Sequence, residues 1–311
     1  MLNKFIFDFL LATQRAALAS SKLCGAGDNN AADHAAVKAM RDAINIIDAN
    51  IKVAIGEGER DKAPMLYISE QLGFGGAQEL EIAVDPLEGT NLCANFGPGA
   101  LSVLGFAKKG VMLNAPDVYM QKIFTDCRCD ISLNNKIEEN LEIVASAKKK
   151  QIKDLCVTIL QRKRHEQLIG RVRGCGAKVK LIEDGDIAAI LSIITQKKQD
   201  IYAGIGGAPE GVLAAIAVKN LGGSMQSKLI FESEEQKARA TGMGVKDFSA
   251  LYSQDDMING DAILVATGVT TGEILDGVTE SKDGFSRLQS LIVNDGGYSK
   301  VLHFLQNATK Q

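Results

Sequence analysis

Three acidic clusters, each set in a glycine-containing turn beside a strand-like apolar run, constrain this chain more than any other feature. They read Ile55-Gly56-Glu57-Gly58-Glu59-Arg60-Asp61, Asp85-Pro86-Leu87-Glu88-Gly89-Thr90 and Gly206-Gly207-Ala208-Pro209-Glu210-Gly211. Alternating Gly and Glu is costly in a strand interior and awkward in a helix. No histidine cluster accompanies these carboxylates, and oxygen-only ligand sets suit hard cations such as Mg²⁺ and Mn²⁺. Carboxylates held near backbone N–H groups that can face a phosphate point to metal-assisted phosphoryl chemistry.

The 311 residues suffice for one large domain or two smaller ones. A net charge of −3 and a pI of about 5.8 leave no basic excess, which argues against a nucleic-acid partner. Cysteines 24, 93, 127, 129, 156 and 175 are irregularly spaced, and the histidines lie far from the one close pair, Cys127 and Cys129. Reduced thiols in a cytoplasmic protein are the expectation, not a zinc site. Near the N-terminus Phe7, Leu10, Leu11 and Leu18 recur at helical spacing, interrupted by Asp8, Gln14 and Arg15. That pattern predicts an amphipathic helix rather than a signal peptide. No run of ~18 apolar residues exists to span a membrane.

Periodicity predicts helices over 2–22, 31–49 and 63–72, and strands over 52–55, 80–84 and 101–107. Lys108-Lys109-Gly110 reads as a hairpin turn into Val111-Met112-Leu113. Beyond about residue 150 strands (155–160, 178–182, 200–204) alternate with helices (165–173, 187–194, 209–220), which favours an α/β half with parallel strands. Lys148-Lys149-Lys150 reads as a solvated link at the boundary.

In the second cluster a strand delivers Asp85 to its carboxyl end, where ligands of α/β sheets tend to bind. Pro86 stiffens the turn, and Gly89 permits close backbone approach. Asp85 and Glu88 can converge on a cation, while Thr90 offers a hydroxyl and neighbouring N–H groups to a phosphate. A plain turn and helix cap is the competing explanation. Glu57 reads as a ligand to a metal or charged group, or as part of an exposed acidic loop. Asp33, early in a helix, reads first as a dipole partner. Glu210 follows a strand, a glycine turn and Pro209; it can ligate a metal or complement a helix dipole, and the glycine spacing is not the dinucleotide fingerprint. Arg162-Lys163-Arg164-His165 can clamp a second phosphate or simply begin a solvated helix.

Taken in order, these clusters resemble the class II fructose-1,6-bisphosphatases of the lithium-sensitive, metal-dependent phosphomonoesterase superfamily. The superfamily's Asp-Pro-Ile/Leu-Asp-Gly-Ser/Thr hallmark appears as Asp85-Pro86-Leu87-Glu88-Gly89-Thr90, with the Glu typical of class II. Further matches are Gly27-Asp28-Asn29-Asn30-Ala31-Ala32-Asp33, residues 56–66, Leu113-Asn114-Ala115-Pro116-Asp117-Val118-Tyr119-Met120, Asp184-Gly185-Asp186, residues 204–211 and Ala266-Thr267-Gly268-Val269-Thr270. The resemblance as a whole covers about residues 10–280.

The resemblance implies Asp33, Glu57, Asp85, Glu88 and Glu210 as ligands of Mn²⁺ or Mg²⁺. It implies Glu88, Gly89, Thr90, Tyr119, Arg162, Lys163, Arg164, Asp184, Gly185, Asp186 and Gly207 as substrate contacts, with Thr90, Asp61 and Glu57 in catalysis. The expected fold is α/β, a layered αβαβα sandwich of the sugar-phosphatase type. Residues 1–150 would form an α+β metal- and phosphate-binding half, and 151–311 an α/β sugar-phosphate-binding half. The implied reaction removes the 1-phosphate of fructose 1,6-bisphosphate in gluconeogenesis or glycerol metabolism. Sedoheptulose 1,7-bisphosphate or inositol phosphate hydrolysis, or a weakly catalytic sugar-phosphate sensor, are the alternatives. The expected partner is a small sugar bisphosphate, without nucleic acid or membrane, and the expected assembly a homo-oligomer, dimer or tetramer. The chain departs from the family pattern at Asn29, where Lys is usual, at Lys62, where an acid is common, and at Lys163, where Pro is common.

Overall fold

The computed structural model describes residues 2–58, 65–280 and 284–306. Internal packing divides the chain into two units, Met1–Gly110 with Asp261–Gln311, and Val111–Gly260. The first segment carries α1 (Ile6–Ser21), α2 (Asn29–Ile44), β1 (Asn50–Ile55), β2 (Gln71–Leu72), β3 (Glu79–Glu88), α3 (Thr90–Ala94) and β4 (Leu101–Lys108). The middle segment carries β5 (Tyr119–Thr125), α4 (Ile137–Lys148), β6 (Cys156–Leu160), α5 (Glu166–Gly174), β7 (Lys178–Ile182), α6 (Asp186–Gln196), β8 (Ile201–Gly207), α7 (Ala208–Leu221), β9 (Ser224–Ile230), α8 (Glu234–Gly242), β10 (Tyr252–Ser253) and α9 (Gln254–Met257). The last segment adds β11 (Ala262–Gly268), β12 (Thr279–Glu280), β13 (Phe285–Asn294) and β14 (Gly297–Gln306). This is the α/β class expected, with mixed sheets.

In the first unit the sheet order is β12-β13-β11-β4-β3-β1-β2, with β14 also paired to β13. Only β1 and β3 run parallel. Helix α1 buries Phe9, Leu10, Ala12, Ala16 and Ala17 and rests on β11, β4, β3 and β13. Small alanines let that helix approach closely, and Phe9 stacks on Phe106 of β4 with ring centroids 4.4 Å apart. Three buried hydroxyls beneath α1 satisfy one another in a chain: those of Thr13 and Thr267 lie 2.8 Å apart, and those of Thr267 and Ser290 2.9 Å. Helix α2 packs on β3 and is capped by Asp28, which accepts from the Ala31 N–H at 2.9 Å.

The second unit is built on a sheet of order β10-β9-β5-β8-β6-β7. Strands β6, β7 and β8 are parallel, as the alternation with helices predicts. Strand β5, however, enters between β8 and β9 antiparallel to both, so the sheet is mixed rather than parallel throughout.

Several local expectations change. Ala63 and Pro64 of the predicted helix 63–72 lie outside the described residues. From residue 65 the chain turns and closes as β2 against β1. Leu66 and Ser69 take left-handed φ of 54° and 75°, incompatible with a continuing helix. Helix α2 ends at Ile44, five residues before the predicted end. No hairpin follows Gly110: both edges of β4 are already taken by β3 and β11, and Met112 forms only a bridge to Ile258. The single cut at residue 150 is replaced by two at 110/111 and 260/261. The lysines at 148 and 150 are no solvated link. Lys148 bonds Asp126 and Asp200 at 2.6 Å, and Lys150 bonds Asp200 at 2.7 Å, tying α4 into its own unit.

Candidate active site

The Asp85–Glu88 motif lies inside β3, not in a turn after it. Asp85 pairs with Val103 and Glu88 with Leu101, so two residues of β3, Pro86 and Leu87, oppose one of β4. That is a β-bulge, and it is where an interior strand tolerates a proline without an N–H. The bulge has a geometric consequence. In a regular strand residues three apart face opposite ways, whereas Val103 and Leu101, two apart, share a face. Pairing opposite them places Asp85 and Glu88 on one face. Gly89 follows with φ +79°, a left-handed conformation that suits glycine. Thr90 then opens α3, only five residues long, so any dipole contribution there is that of little more than one turn.

Glu57 reaches the same end of the sheet by register. Ile55 of β1 pairs in parallel with Ala83 of β3, and Glu57 and Asp85 each stand two residues beyond that pair. The Glu57 N–H donates to the Leu66 carbonyl at 3.0 Å. A Cβ on Gly56 would fall 1.9 Å from that oxygen, so packing itself requires a glycine there. Asp33 lies one turn into α2. The turn before that helix is bound to α3 by Gly25 N–H to Cys93 carbonyl (3.0 Å), Gly27 N–H to Ala94 carbonyl (2.9 Å) and a short Asn29–Asn91 side-chain bond. Burial pushes the Asp33 carboxyl up, with His34 opposing. Asp61, with Arg60 and Lys62, lies outside the described residues.

The second unit holds its own set. Tyr119 begins β5 opposite Gly207, the last residue of β8. Arg164 donates to the Ile205 carbonyl from Nε (3.2 Å) and Nη2 (2.8 Å), and its guanidinium carbon lies 4.9 Å from the Tyr119 ring centroid. Arg162 lies 4.0 Å from Asp184, and Lys163 is exposed in the short helical turn that follows. Asp184 accepts from the Gly185 N–H at 3.2 Å, and Asp186, at the first position of α6, is buried. Glu210 lies in the first turn of α7. Its Oε2 is buried without a hydrogen-bond partner among the described residues. Burial raises this carboxyl, Lys122 opposes, and Asp186 adds to the rise.

Among the described residues no group of three or more His, Cys, Asp or Glu stands close enough to hold a metal ion. The donor chemistry nonetheless fits a hard cation. The residues are carboxylates, and Asp33 and Glu210 are held where burial disfavours their charge, a cost that a bound divalent ion offsets.

A family model described as "Bacterial fructose-1,6-bisphosphatase, glpX-encoded" matches residues 3–306. The chain belongs to that family. It is 39% identical to the class 2 fructose-1,6-bisphosphatase of Haemophilus influenzae, covering 96% of this chain and 94% of the relative. It is 38% identical to the "D-fructose 1,6-bisphosphatase class 2/sedoheptulose 1,7-bisphosphatase" of Synechococcus elongatus, covering 92% and 91%. A Prochlorococcus marinus protein of the same description is 39% identical over 94% of this chain and 93% of its own.

Sequence reasoning missed two residues in this member of the glpX-encoded family. Lys122 is buried in β5 and bonds Asp186 and Gly207. Its signal was available: Met120, Lys122 and Phe124 share one strand face, and the flanking two are apolar. Glu70 is buried, accepts from the Leu66 N–H at 2.5 Å and is bonded by Arg41 at 2.8 Å. Nothing in its local sequence distinguishes it, because both partners are set by the tertiary path of the loop.

Proposed function

We propose that this protein hydrolyses the 1-phosphate of fructose 1,6-bisphosphate, releasing fructose 6-phosphate and inorganic phosphate, as a gluconeogenic phosphatase. The observation that carries the reading is the family match over residues 3–306. The shared face of Asp85 and Glu88, with Glu57 in register beside them, supports it. The relatives described as acting also on sedoheptulose 1,7-bisphosphate favour a second reading, a dual bisphosphatase.

Asp33, Glu57, Asp85 and Glu88 in the first unit, and Glu210 in the second, are assigned to hold Mn²⁺ or Mg²⁺. A bound divalent cation supplies positive charge to the phosphate oxygens and acidifies water. The Thr90 hydroxyl orients the nucleophile, with Glu57 or Asp61 accepting the proton. Glu88, Gly89 and Thr90 line the reacting phosphate. Arg162, Lys163 and Arg164 grip the phosphate that does not react, Tyr119 lies against Arg164, and Asp184, Gly185, Asp186 and Gly207 receive the sugar. Positioning and electrostatics account for the rate gain, as in other phosphoryl transfers. A cytoplasmic homo-oligomer, dimer or tetramer, completes the proposal. Among the described residues no helix is long and apolar enough to cross a membrane.

The test is phosphate release from fructose 1,6-bisphosphate, sedoheptulose 1,7-bisphosphate and inositol 1-phosphate, with Mn²⁺, Mg²⁺ or neither after chelation. Turnover of the first substrate that requires an added cation is the expected result. Full turnover after exhaustive chelation removes the metal assignment, and turnover of inositol phosphate alone removes the substrate.

A further inference from the structure

Lys122 is 1% exposed, and its side chain not at all. An ammonium withdrawn from water costs several kcal/mol unless its environment repays it, and an apolar side chain of similar volume is often no less stable in such a place. Packing alone therefore does not explain a lysine between Met120 and Phe124 on the inward face of β5. Its bonds do. Nζ donates to Asp186 Oδ2 at 2.5 Å and to the Gly207 carbonyl at 2.8 Å. Asp186 is the first residue of α6, and Gly207 closes β8 immediately before α7. One ammonium thus pins the start of one helix to the approach of the next.

The surrounding glycines follow from the same arrangement. A Cβ on Gly206 would lie 1.9 Å from Asp186 Oδ2 and 3.0 Å from Lys122 Nζ. On Gly207 it would lie 2.0 Å from Glu210 Oε2, and on Gly211 2.3 Å from Met120 Sδ and 3.4 Å from Lys122 Cδ. The glycines of the third acidic cluster leave room for two carboxylates and the lysine between them. Three elements, β5, α6 and the β8–α7 junction, are packed around one charge.

We propose that Lys122 is a positioning residue for sugar-phosphate binding: it fixes the Asp186 carboxylate and the Gly207 backbone in the orientation that receives the ligand, while its charge offsets that of Asp186 and Glu210. This rests on the reading of Asp186 and Gly207 as substrate contacts. Lys122 itself touches no reacting atom, so its loss acts on binding more than on the chemical step.

The test compares the wild-type chain with Lys122→Met, an apolar replacement of similar length. KM for fructose 1,6-bisphosphate is expected to rise tenfold or more, with kcat changed less than threefold. The Kd of fructose 6-phosphate, measured by calorimetry in metal-free buffer, is expected to weaken in the same ratio. The double variant Lys122→Met/Asp186→Asn should bind no more weakly than Asp186→Asn alone, because both remove one device. A lysine with a merely structural role would lower Tm and leave KM and Kd unchanged, which overturns the inference. If the Met variant does not fold, Lys122→Gln, which keeps an N–H donor, is read by the same criteria. A wild type that binds fructose 6-phosphate but hydrolyses no bisphosphate overturns the proposed function alone, and the Kd ratio still judges Lys122. A wild type that does neither overturns both.

Discussion

The guanidinium of Arg164 is braced before any ligand arrives, by the Ile205 carbonyl on one edge and the Tyr119 ring on one face. Ile205 is itself pinned: its N–H donates to His165 Nε2 at 2.8 Å, while His165 Nδ1 bonds the Leu160 carbonyl at 2.8 Å. The donated N–H requires an unprotonated Nε2, so the ring is the neutral Nδ1–H tautomer, and burial holds its pKa below the ordinary value. In the role proposed for it, gripping the phosphate that does not react, a pre-braced cation contributes equally to ground and transition states. Arg164→Ala is therefore expected to raise KM for the bisphosphate about ten- to hundredfold, or ~1.5–3 kcal/mol for charge-assisted bonds, with kcat nearly constant. Steady-state kinetics at fixed salt checks it, and an unmoved KM takes Arg164 out of the site. Asn29 makes the opposite case, since the resemblance leads one to expect lysine there. Its side chain bonds Asn91 on α3, beside Thr90. Asn29→Lys gives up that partly exposed bond at little cost in Tm and brings a positive charge near Thr90. It is expected to raise kcat, tenfold for each ~1.4 kcal/mol of transition-state stabilisation. A flat kcat would show that the departure is neutral. The basic character of the Arg162–Arg164 run is written in its residue types alone, whereas the brace behind Arg164 is not, because Tyr119 and Ile205 are distant in sequence.

Among elements, the described ends of the segment between β1 and β2 show how the backbone at Glu57 is held. Its charged end leaves β1 at Gly56, and its return is tied to α2 through Glu70. The Glu70 carboxylate takes the Leu66 N–H and two bonds from Arg41, while its own carbonyl accepts from the Val53 N–H at 3.0 Å. Leu66, left-handed and buried, in turn receives the Glu57 N–H. Glu70→Ala removes the partner of a buried N–H and of a one-third exposed arginine. The expected loss is about 3 kcal/mol, the low end for a broken buried pair because Arg41 keeps some water. Denaturant unfolding measures it. The cation concentration for half-maximal activity is expected to rise in parallel, since Glu57 hangs from the same turn; a variant with normal stability and normal cation response would show that the tie holds nothing. The predicted helix over this segment failed for a physical reason. Its apolar spacing resembled a helical stripe, but two left-handed residues and strand pairing to β1 outweighed that local preference.

At the scale of the whole molecule, the second unit contains a charged knot that makes stability depend on pH. Burial alone would raise the Asp200 carboxyl, but bonds from Lys148, Lys150 and the Cys156 N–H outweigh it and leave the group below its ordinary value. A carboxyl depressed by folding contributes stability above its unfolded pKa, about 4, and loses it as pH falls through the folded value. His165, also depressed, acts in the same sense below about pH 6.5. Tm is thus expected to fall in acid, and Asp200→Asn to lower Tm at pH 7 while flattening the part of the decline below about pH 4. An Asp200→Asn chain with the wild-type pH profile would refute the assignment. The sequence by itself determined the α/β class, the order of the acidic clusters and the strand–helix alternation of the second unit, because each is written in neighbouring residues. Tertiary structure alone decided that Asp85 and Glu88 share a face, since the bulge exists only relative to β4. It decided that β11 to β14 complete the first sheet and that Lys122 and Glu70 are buried against charged partners. Those outcomes depend on which distant strands pair, and a side-chain period of two or 3.6 residues carries no information about the partner.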